Sequence, residues 1–207
     1  MMKQISTYMT EAFRLRDDTK FHHEKKVEIK YRPTDTQELR KIVIDKINEQ
    51  GPGTQSDPID FNDIDVKNIT SFCFKTIGGW MGVLSSDAIE HVDISGWDVS
   101  NTNSLDYLFK LSRNLKTVKM CDTSNIETMF AMFYGCTDLE IAPAFNIDNC
   151  KDLRQLFYAC TSLETIPLFS KKILRDAHLA NMLMQCRSLN WDIRKYYDPS
   201  DNGTPQL

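Results

Sequence analysis

The stretch that decides the fold is Leu153–Leu163, LRQLFYACTSL, which is one of four copies of the same eleven-residue phrase. Apolar anchors lie at its first, fourth, fifth and eleventh positions, and a Ser or Cys lies at its eighth. The copies occupy residues 105–115, 129–139, 153–163 and 179–189, so their starts are 24, 24 and 26 residues apart. Self-similarity at this period is typical of a solenoid, in which each unit buries its apolar side against its neighbours.

A short apolar pair follows three of the copies and gives L-x-x-φ-x-φ, the opening of a leucine-rich repeat. An Asn recurs in the turn between units, at Asn68, Asn101, Asn125 and Asn149. Its amide can satisfy backbone groups left free where the chain changes direction, so a structural role is predicted. Each unit is expected to be a strand, an Asn turn and a short helix over the phrase. The predicted fold class is an α/β solenoid of irregular leucine-rich repeats with a small α/β N-terminal cap.

Three segments are predicted along the chain. Residues 1–57 carry no repeat, and their patterns indicate a helix–strand–helix cap that ends at Gly51-Pro52-Gly53. Residues 58–193 form the repeat region, with an insertion in its first unit within 76–90. Residues 194–207 lose the pattern, which predicts a flexible C-terminal tail.

The eighth position of the phrase is occupied by Cys136, Cys160 and Cys186, and by Ser112 in the first copy. Stacked units would place these side chains in one inward column, which favours a buried structural role over a metal or redox role. No C-x-x-C pair is present, and the histidines do not fall near the cysteines at zinc-ligand spacing. No metal and no cofactor are expected.

Composition and motifs argue against several function classes. The net charge of −4 gives no global reason to bind nucleic acid or an anionic membrane. No G-x-S-x-G, P-loop or H-E-x-x-H motif occurs, so no catalytic residue is predicted. The cluster Asp17-Asp18, His22-His23 and Lys25-Lys26 is more typical of a solvated loop than of a catalytic or metal site. A protein partner is expected, and nucleic acid remains conceivable only for the basic segment 14–40.

Two surfaces are candidates for binding that partner. In the L-x-x-φ-x-φ frame, the residues between inward positions face one side of the sheet. This predicts an exposed patch of Ser95, Lys119, Pro143 and Pro167, flanked by Trp97, Phe145 and Phe169, whereas the competing interpretation turns these aromatics into the core. Tyr134 and Tyr158 follow the buried Phe of the phrase and predict a second, helical ridge. Aromatic side chains on an open surface would suit a partner site.

The sequence from Asp93, DISGWDVSN, resembles the BspA-like leucine-rich repeat of bacterial surface proteins and mycoplasma-type lipoproteins. The resemblance covers about residues 60–190 and rests on Trp97, Asp98, Val99, Ser100, Asn101, Leu105, Leu108, Phe109, Phe133, Gly135, Cys136 and Leu139. It implies a solenoid used for binding or adhesion, without catalytic residues. The chain departs from that family by lacking a signal peptide or lipobox, and its outer repeats are degenerate.

A second resemblance lies at the N-terminus. The segment Met9-Thr10-Glu11-Ala12 is similar to targeting helices of proteins packaged in tailed-phage heads, where a protease cuts after the Glu. It implies a processing site at Glu11 and Ala12; the alternative is an amphipathic helix that packs on the repeats.

Together these patterns predict a non-enzymatic protein–protein interaction module. We expect it to be phage- or prophage-encoded and located in the host cytoplasm or virion interior, where it would bind a host or virion protein, for example as an inhibitor. The alternatives are a BspA-like surface adhesin, which needs an export signal beyond this sequence, and a structural protein that assembles through open repeat ends.

Overall fold

A computed structural model describes residues 27–167, 169 and 175–190. The named elements within these residues are helix α1 (Thr36–Gln50) and strands β1 (Ile59–Asp60), β2 (Cys73–Thr76), β3 (Gly79–Gly82), β4 (His91–Asp93) and β5 (Thr117–Lys119). The helix predicted near the N-terminus, the processing site Glu11–Ala12 and the tail 194–207 lie outside the described residues. The four copies of the phrase are called rungs 1 to 4 below.

Helix α1 begins at a polar cap and ends at a glycine. The carboxylate of Asp35 accepts hydrogen bonds from the backbone N–H groups of Gln37 and Glu38, so Asp35 is the N-cap. Gly51 ends the helix with φ 72°, a conformation that suits glycine. The buried face of the helix packs on the repeat region through Leu39, Val43 and Ile47.

The strands form two small sheets. Strands β1, β4 and β5 lie side by side and parallel, with Ile59 opposite Val92 and Val92 opposite Val118. Strands β2 and β3 pair antiparallel as a hairpin, in the region where the sequence predicts an insertion. Beyond β5 the pairing between units continues as single parallel bridges, such as Ile141 with Thr165.

The predicted helix over each phrase is wrong: rungs 1 to 4 consist of turns. Two residues of each rung have positive φ, namely Tyr107 and Leu111, Ala131 and Gly135, Gln155 and Ala159, and Asn181 and Gln185. This left-handed backbone costs about 1–2 kcal/mol for a non-glycine residue. It is held in rungs 1 to 3 because the N–H groups of these residues bond to the next rung, as from Tyr107 to Phe130 O at 3.0 Å.

Backbone hydrogen bonds join neighbouring rungs in both directions, and Asp138, for example, donates to Arg113 O of the preceding rung at 3.0 Å. The first residue of each of rungs 1 to 3 donates to the unit that follows: Leu105 to Thr128 O, Met129 to Asp152 O and Leu153 to His178 O, at 3.0, 2.9 and 2.9 Å. The fifth residues of these rungs, Phe109, Phe133 and Phe157, donate in the same way. At these two positions, rungs 1 to 3 donate N–H groups to the unit that follows, and that unit supplies the carbonyl groups.

Helix α1 closes the N-terminal end of this ladder. The guanidinium of Arg40 donates to Val83 O at 2.7 Å and to Ser85 O at 3.0 Å. One unit later, the carbonyl that corresponds to Val83 is that of Leu108, which accepts the N–H of Leu84 at 3.1 Å. Arg40 thus supplies the donors that a preceding rung would have supplied.

The core runs along the axis of the stack. The rings of Phe109, Phe133 and Phe157 are fully buried, and their centroids lie 5.2 and 5.5 Å apart in stacked geometry. Because each ring packs on those of adjacent rungs, no single rung could bury its apolar side alone.

Candidate protein-binding surface

The cysteine column lies in the core. The thiol of Cys136 donates to Phe109 O at 3.2 Å, that of Cys160 to Phe133 O and that of Cys186 to Phe157 O, both at 3.0 Å. All three cysteines are fully buried, and none of them forms a disulfide bond. Burial raises the pKa of Cys136 and Cys160 far above the ordinary thiol value. These thiols therefore tie each rung to the one before it, and they are not poised as nucleophiles.

The asparagine column bridges the turns between units. The amide of Asn101 donates to Lys67 O at 2.9 Å and that of Asn149 to Ser124 O at 2.6 Å. Asn125 donates to two carbonyl groups of the preceding unit, at 3.0 and 2.6 Å. Asn68 is exposed, and its side chain makes no such bond within the described residues. The contacts of the later three are those expected of residues that cap free backbone groups.

The predicted aromatic stripe on the sheet is not an exposed surface. Trp97 is 3% exposed, stacks on Phe72 at 5.5 Å and donates its indole N–H to Phe61 O at 2.9 Å. Phe169 is also buried, at 4%. The third flanking aromatic, Phe145, is half-buried, and of the two prolines of the predicted patch, Pro143 is buried and Pro167 is half-buried. The competing core interpretation of Trp97 and Phe169 is therefore correct, because the strands are too short to keep strict alternation.

The two polar members of that patch belong to a satisfied cluster around Asp93. Ser95 donates its hydroxyl to Asp93 at 2.7 Å, and the ammonium group of exposed Lys119 lies 3.1 Å from the same carboxylate. Burial disfavours ionisation of Asp93, but hydrogen bonds from Asn62, Ser95 and Lys119 outweigh it and hold the pKa of Asp93 below its ordinary value. Ser95 thus points into an internal network, and Lys119 alone of the predicted patch is solvent-exposed.

The predicted tyrosine ridge is at the surface. Tyr134 and Tyr158 are half-buried, and their rings stack at 4.7 Å with an interplanar angle of 3°. They occupy the sixth position of rungs 2 and 3, where rung 1 carries Lys110. The ammonium group of Lys110 lies 5.6 Å from the ring of Tyr134, so the ridge continues as a cation–π contact.

The structure extends this ridge into a larger surface that the sequence did not predict. Tyr107 lies 5.2 Å from Phe130 in an edge-to-face contact and 6.5 Å from the stacked ring of Trp80. Lys110 joins the two parts, since it also lies 5.0 Å from Tyr107 and donates to Trp80 O at 3.0 Å. We call the set the aromatic face: Trp80, Tyr107, Lys110, Phe130, Tyr134, Arg154 and Tyr158.

The charged members of the aromatic face are fixed in place. The guanidinium of Arg154 lies 5.1 Å above the ring of Phe130, and Asp152 holds it at 2.6 Å. Burial beside the rings lowers the pKa of Lys110. At the edge of the face, Trp80 is 46% exposed, and Ile77 at the hairpin tip is fully exposed.

A signal in the sequence could have found much of this face. Phe130 and Arg154 share the second position of the phrase, and Lys110, Tyr134 and Tyr158 share the sixth. Comparing the four copies at every position of the phrase, and not only at the apolar anchors, groups these residues on one side of the stack. Trp80 could not be found this way because it lies in the hairpin outside the phrase.

Other kinds of site have little support in the part of the chain that the structure describes. Concavities are small and polar, as in the cavity of about 180 Å³ beside Gln50 and Ile59. A second cavity, of about 360 Å³, lies beside the buried ion pair of Lys46 and Asp63. No group of three or more His, Cys, Asp or Glu side chains among the described residues could hold a metal ion. Nor does that part contain a helix both long and apolar enough to span a bilayer.

Comparison with known proteins gives one match. The sequence model of the family described as "Mycoplasma protein of unknown function, DUF285" matches residues 80–196, which is more than half of the chain. No curated protein and no solved structure matches. The matched range contains all four rungs and the whole aromatic face, and the family is associated with BspA-like repeat proteins. The chain therefore belongs to the DUF285 family.

Proposed function

We propose that this chain is a non-enzymatic leucine-rich-repeat solenoid that binds a protein partner through its aromatic face. The observation that carries the proposal is the continuity of that face across rungs 1 to 3. Five aromatic rings and two cationic groups lie within contact of one another on one side of the stack. Aromatic area exposed to water is unfavourable, and these rings do not form part of the buried core, which is typical of an interaction surface.

The composition of the aromatic face favours a protein as the partner. Tyr, Trp and Arg are the residues most enriched at the energetic centres of protein interfaces. The rings of Tyr134 and Tyr158 are already ordered against each other, so binding would cost them little conformational entropy. The two cavities noted above among the described residues have mainly polar linings, whereas a drug-sized ligand usually fills an apolar cleft.

For the origin of the chain we keep the hypothesis of a phage-encoded protein with a host or virion partner. Its most specific support is the N-terminal motif with Glu11 and Ala12. The mass of the protein isolated from virions tests this hypothesis: a chain that begins at Ala12 supports processing there, and one that begins at Met1 contradicts it.

The closed N-terminal end argues against assembly by end-to-end stacking of repeats. Arg40 already bonds two carbonyl groups, Val83 O and Ser85 O, at the end on which a neighbouring molecule would stack. A binding role is therefore preferred to that of a self-assembling structural protein.

Comparative affinity capture tests the proposal. The bait proteins are the native chain, a Tyr134→Ser/Tyr158→Ser variant, and a control with Lys116→Ser/Glu90→Ser, which removes an exposed ion pair elsewhere. We expect one or more proteins to be retained by the native chain and by the control and lost from the tyrosine variant. Equal retention by all three baits would contradict the proposed surface, provided that thermal unfolding shows the variants to be folded.

A further inference from the structure

Lys110 lies at the centre of the aromatic face without a carboxylate partner. Its ammonium group lies 5.0 Å from the ring of Tyr107 and 5.6 Å from that of Tyr134, and it donates to Trp80 O at 3.0 Å. No carboxylate in the part of the chain that the structure describes forms an ion pair with it. An ammonium group carries three N–H donors, so Lys110 can donate to a further acceptor.

Other lysines of the repeat units have a counter-charge within the chain. Each of four exposed lysines pairs with a carboxylate of a neighbouring unit: Lys67 with Asp98, Lys116 with Glu90, Lys119 with Asp93 and Lys151 with Glu127. Lys110 is half-buried, and burial lowers its pKa. A charge removed from water is unfavourable unless an opposite charge compensates it. An anion from outside the chain would therefore be stabilised at Lys110.

The other charged groups of this surface are already engaged. The Nε and Nη2 groups of Arg154 donate to the carboxylate of Asp152 at 2.9 and 2.6 Å. The carboxylate of Asp106 accepts the hydroxyl of Thr128 and the N–H of Phe130, both at 2.7 Å. The charge that a partner would meet without having to break an existing pair is therefore that of Lys110.

We propose that the aromatic face binds an extended acidic segment of its protein partner, with a Glu or Asp carboxylate at Lys110 and an apolar side chain on the rings of Tyr134 and Tyr158. This inference rests on the function proposed above and specifies the chemistry of the partner. The three residues share the sixth position of rungs 1 to 3, so they form a column along the stack.

The spacing of the column suits such a segment. Neighbouring rungs lie roughly 5 Å apart here, since the rings of Tyr134 and Tyr158 stack at 4.7 Å. In an extended peptide, side chains that point the same way are about 6.6 Å apart. A segment that runs along the column with its carboxylate at Lys110 therefore places its next side chain on that face over the pair of tyrosine rings.

A carboxylate fits this position better than a phosphate group. The guanidinium fork of Arg154, which would be best suited to bidentate phosphate binding, is already held by Asp152. The single charge of Lys110 balances that of one carboxylate, whereas a phosphate ester carries a charge of about −1.5 to −2 at pH 7.

Selection from a random nine-residue peptide library tests the inference, with full-length protein as the bait. The baits are the native chain, the Tyr134→Ser/Tyr158→Ser variant, Lys110→Met, and a control, Lys116→Met, which removes an exposed ammonium group elsewhere. We expect the native chain and the control to enrich peptides with Asp or Glu two positions from an apolar residue. Lys110→Met should lose the acidic preference and keep the apolar one.

Two outcomes of the selection would overturn the inference. One is enrichment of peptides that depend on the tyrosines but show no acidic preference, which would leave the proposed binding surface intact. The other is the absence of any peptide that depends on the tyrosines. The proposed function itself is judged separately, by the affinity capture described above.

An enriched peptide, synthesised with Glu, Gln or phosphoserine at its acidic position, isolates the contact. We expect the change from Glu to Gln to weaken binding to the native chain about 10-fold, as for the loss of a hydrogen bond to a charged group. The same change should leave binding to Lys110→Met unaltered.

Equal weakening with both proteins in calorimetric titrations would show that the carboxylate does not contact Lys110. Tighter binding of the phosphoserine peptide than of the Glu peptide would contradict the assignment of a carboxylate. Thermal unfolding checks that Lys110→Met is folded, and Lys110→Gln, which keeps a donor for Trp80 O, replaces it if it is not.

Discussion

Arg40 donates to the carbonyl of Val83 at 2.7 Å and thereby takes the place of a backbone N–H from a rung that the chain does not have. A second bond from the same guanidinium reaches Ser85 O. The side chain is half-buried between α1 and the repeats, and burial lowers its pKa. One residue of the N-terminal cap thus completes the hydrogen bonding at the first edge of the stack.

Replacing Arg40 by Met should destabilise the protein by about 2–3 kcal/mol, because charge-assisted hydrogen bonds are lost and two carbonyl groups are left without donors. Arg40→Lys should lose less stability than Arg40→Met, since the ammonium group of lysine can donate to one of the two carbonyl groups but does not match the geometry of both. Urea unfolding at pH 7 measures both. A loss below about 0.5 kcal/mol for Arg40→Met, which is usual for a surface substitution, would show that the cap does not depend on this contact.

Gln155→Gly should stabilise the protein by roughly 1 kcal/mol, because Gln155 has φ 58° and glycine adopts this conformation without steric cost. The same change in a helix would destabilise by about 1 kcal/mol. The sign of the change in unfolding free energy therefore distinguishes the turn structure of the rungs from the helix that the sequence predicts.

Asn125→Ala should cost about 1–2 kcal/mol, because its amide bonds two carbonyl groups of the preceding unit. Asn68→Ala, at the equivalent position of the first unit, should change stability by less than about 0.5 kcal/mol. Thermal unfolding of the two variants gives the comparison. Equal losses would contradict the contacts assigned to this column.

Stability should fall as the pH rises above about 9, the ordinary thiol value. Burial raises the pKa of Cys121 and Cys150 to about 12 and that of Cys136 and Cys160 further. In this window the unfolded chain releases thiol protons that the folded chain retains, so each buried thiol lowers the unfolding free energy by up to about 1.4 kcal/mol per pH unit.

Chemical denaturation between pH 7 and 10.5 measures that slope, and Cys160→Ser provides the control. Serine keeps a donor at this position, as Ser112 does in rung 1 with Leu84 O at 3.0 Å, but it does not titrate in this range. A slope that is unchanged in Cys160→Ser would mean that this thiol is not buried in the folded state.

The repeat pattern predicted which residues share a column, but not the backbone conformation between them. Apolar residues at the first, fourth and fifth positions suit a helix. They equally suit a series of turns in which a backbone N–H donates to the carbonyl three residues earlier, as Ser112 does to Phe109 O. The choice depends on bonds to the next rung, such as that of Phe133 N–H to Leu156 O, which local propensity cannot reveal.

The candidate site was predicted in part for the same reason. Tyr134 and Tyr158 follow from the period alone, and the structure places them in contact. Alternation along a strand would turn the side chain of Trp97 outward only if the strand continued past Asp93. Strand β4 has three residues and ends there, so the sequence could not predict the orientation of Trp97. The contact of Trp80 with Tyr107 joins the hairpin to rung 1, so it required the tertiary structure.

The central claim, that the aromatic face binds a protein, is tested most directly by site-specific photo-crosslinking in cells that naturally make this chain. A photoreactive residue replaces Tyr158 in one version and exposed Lys116 in the other. We predict a discrete crosslinked protein from position 158 and none from position 116. No adduct at position 158, or the same adduct from both positions, would contradict the claim.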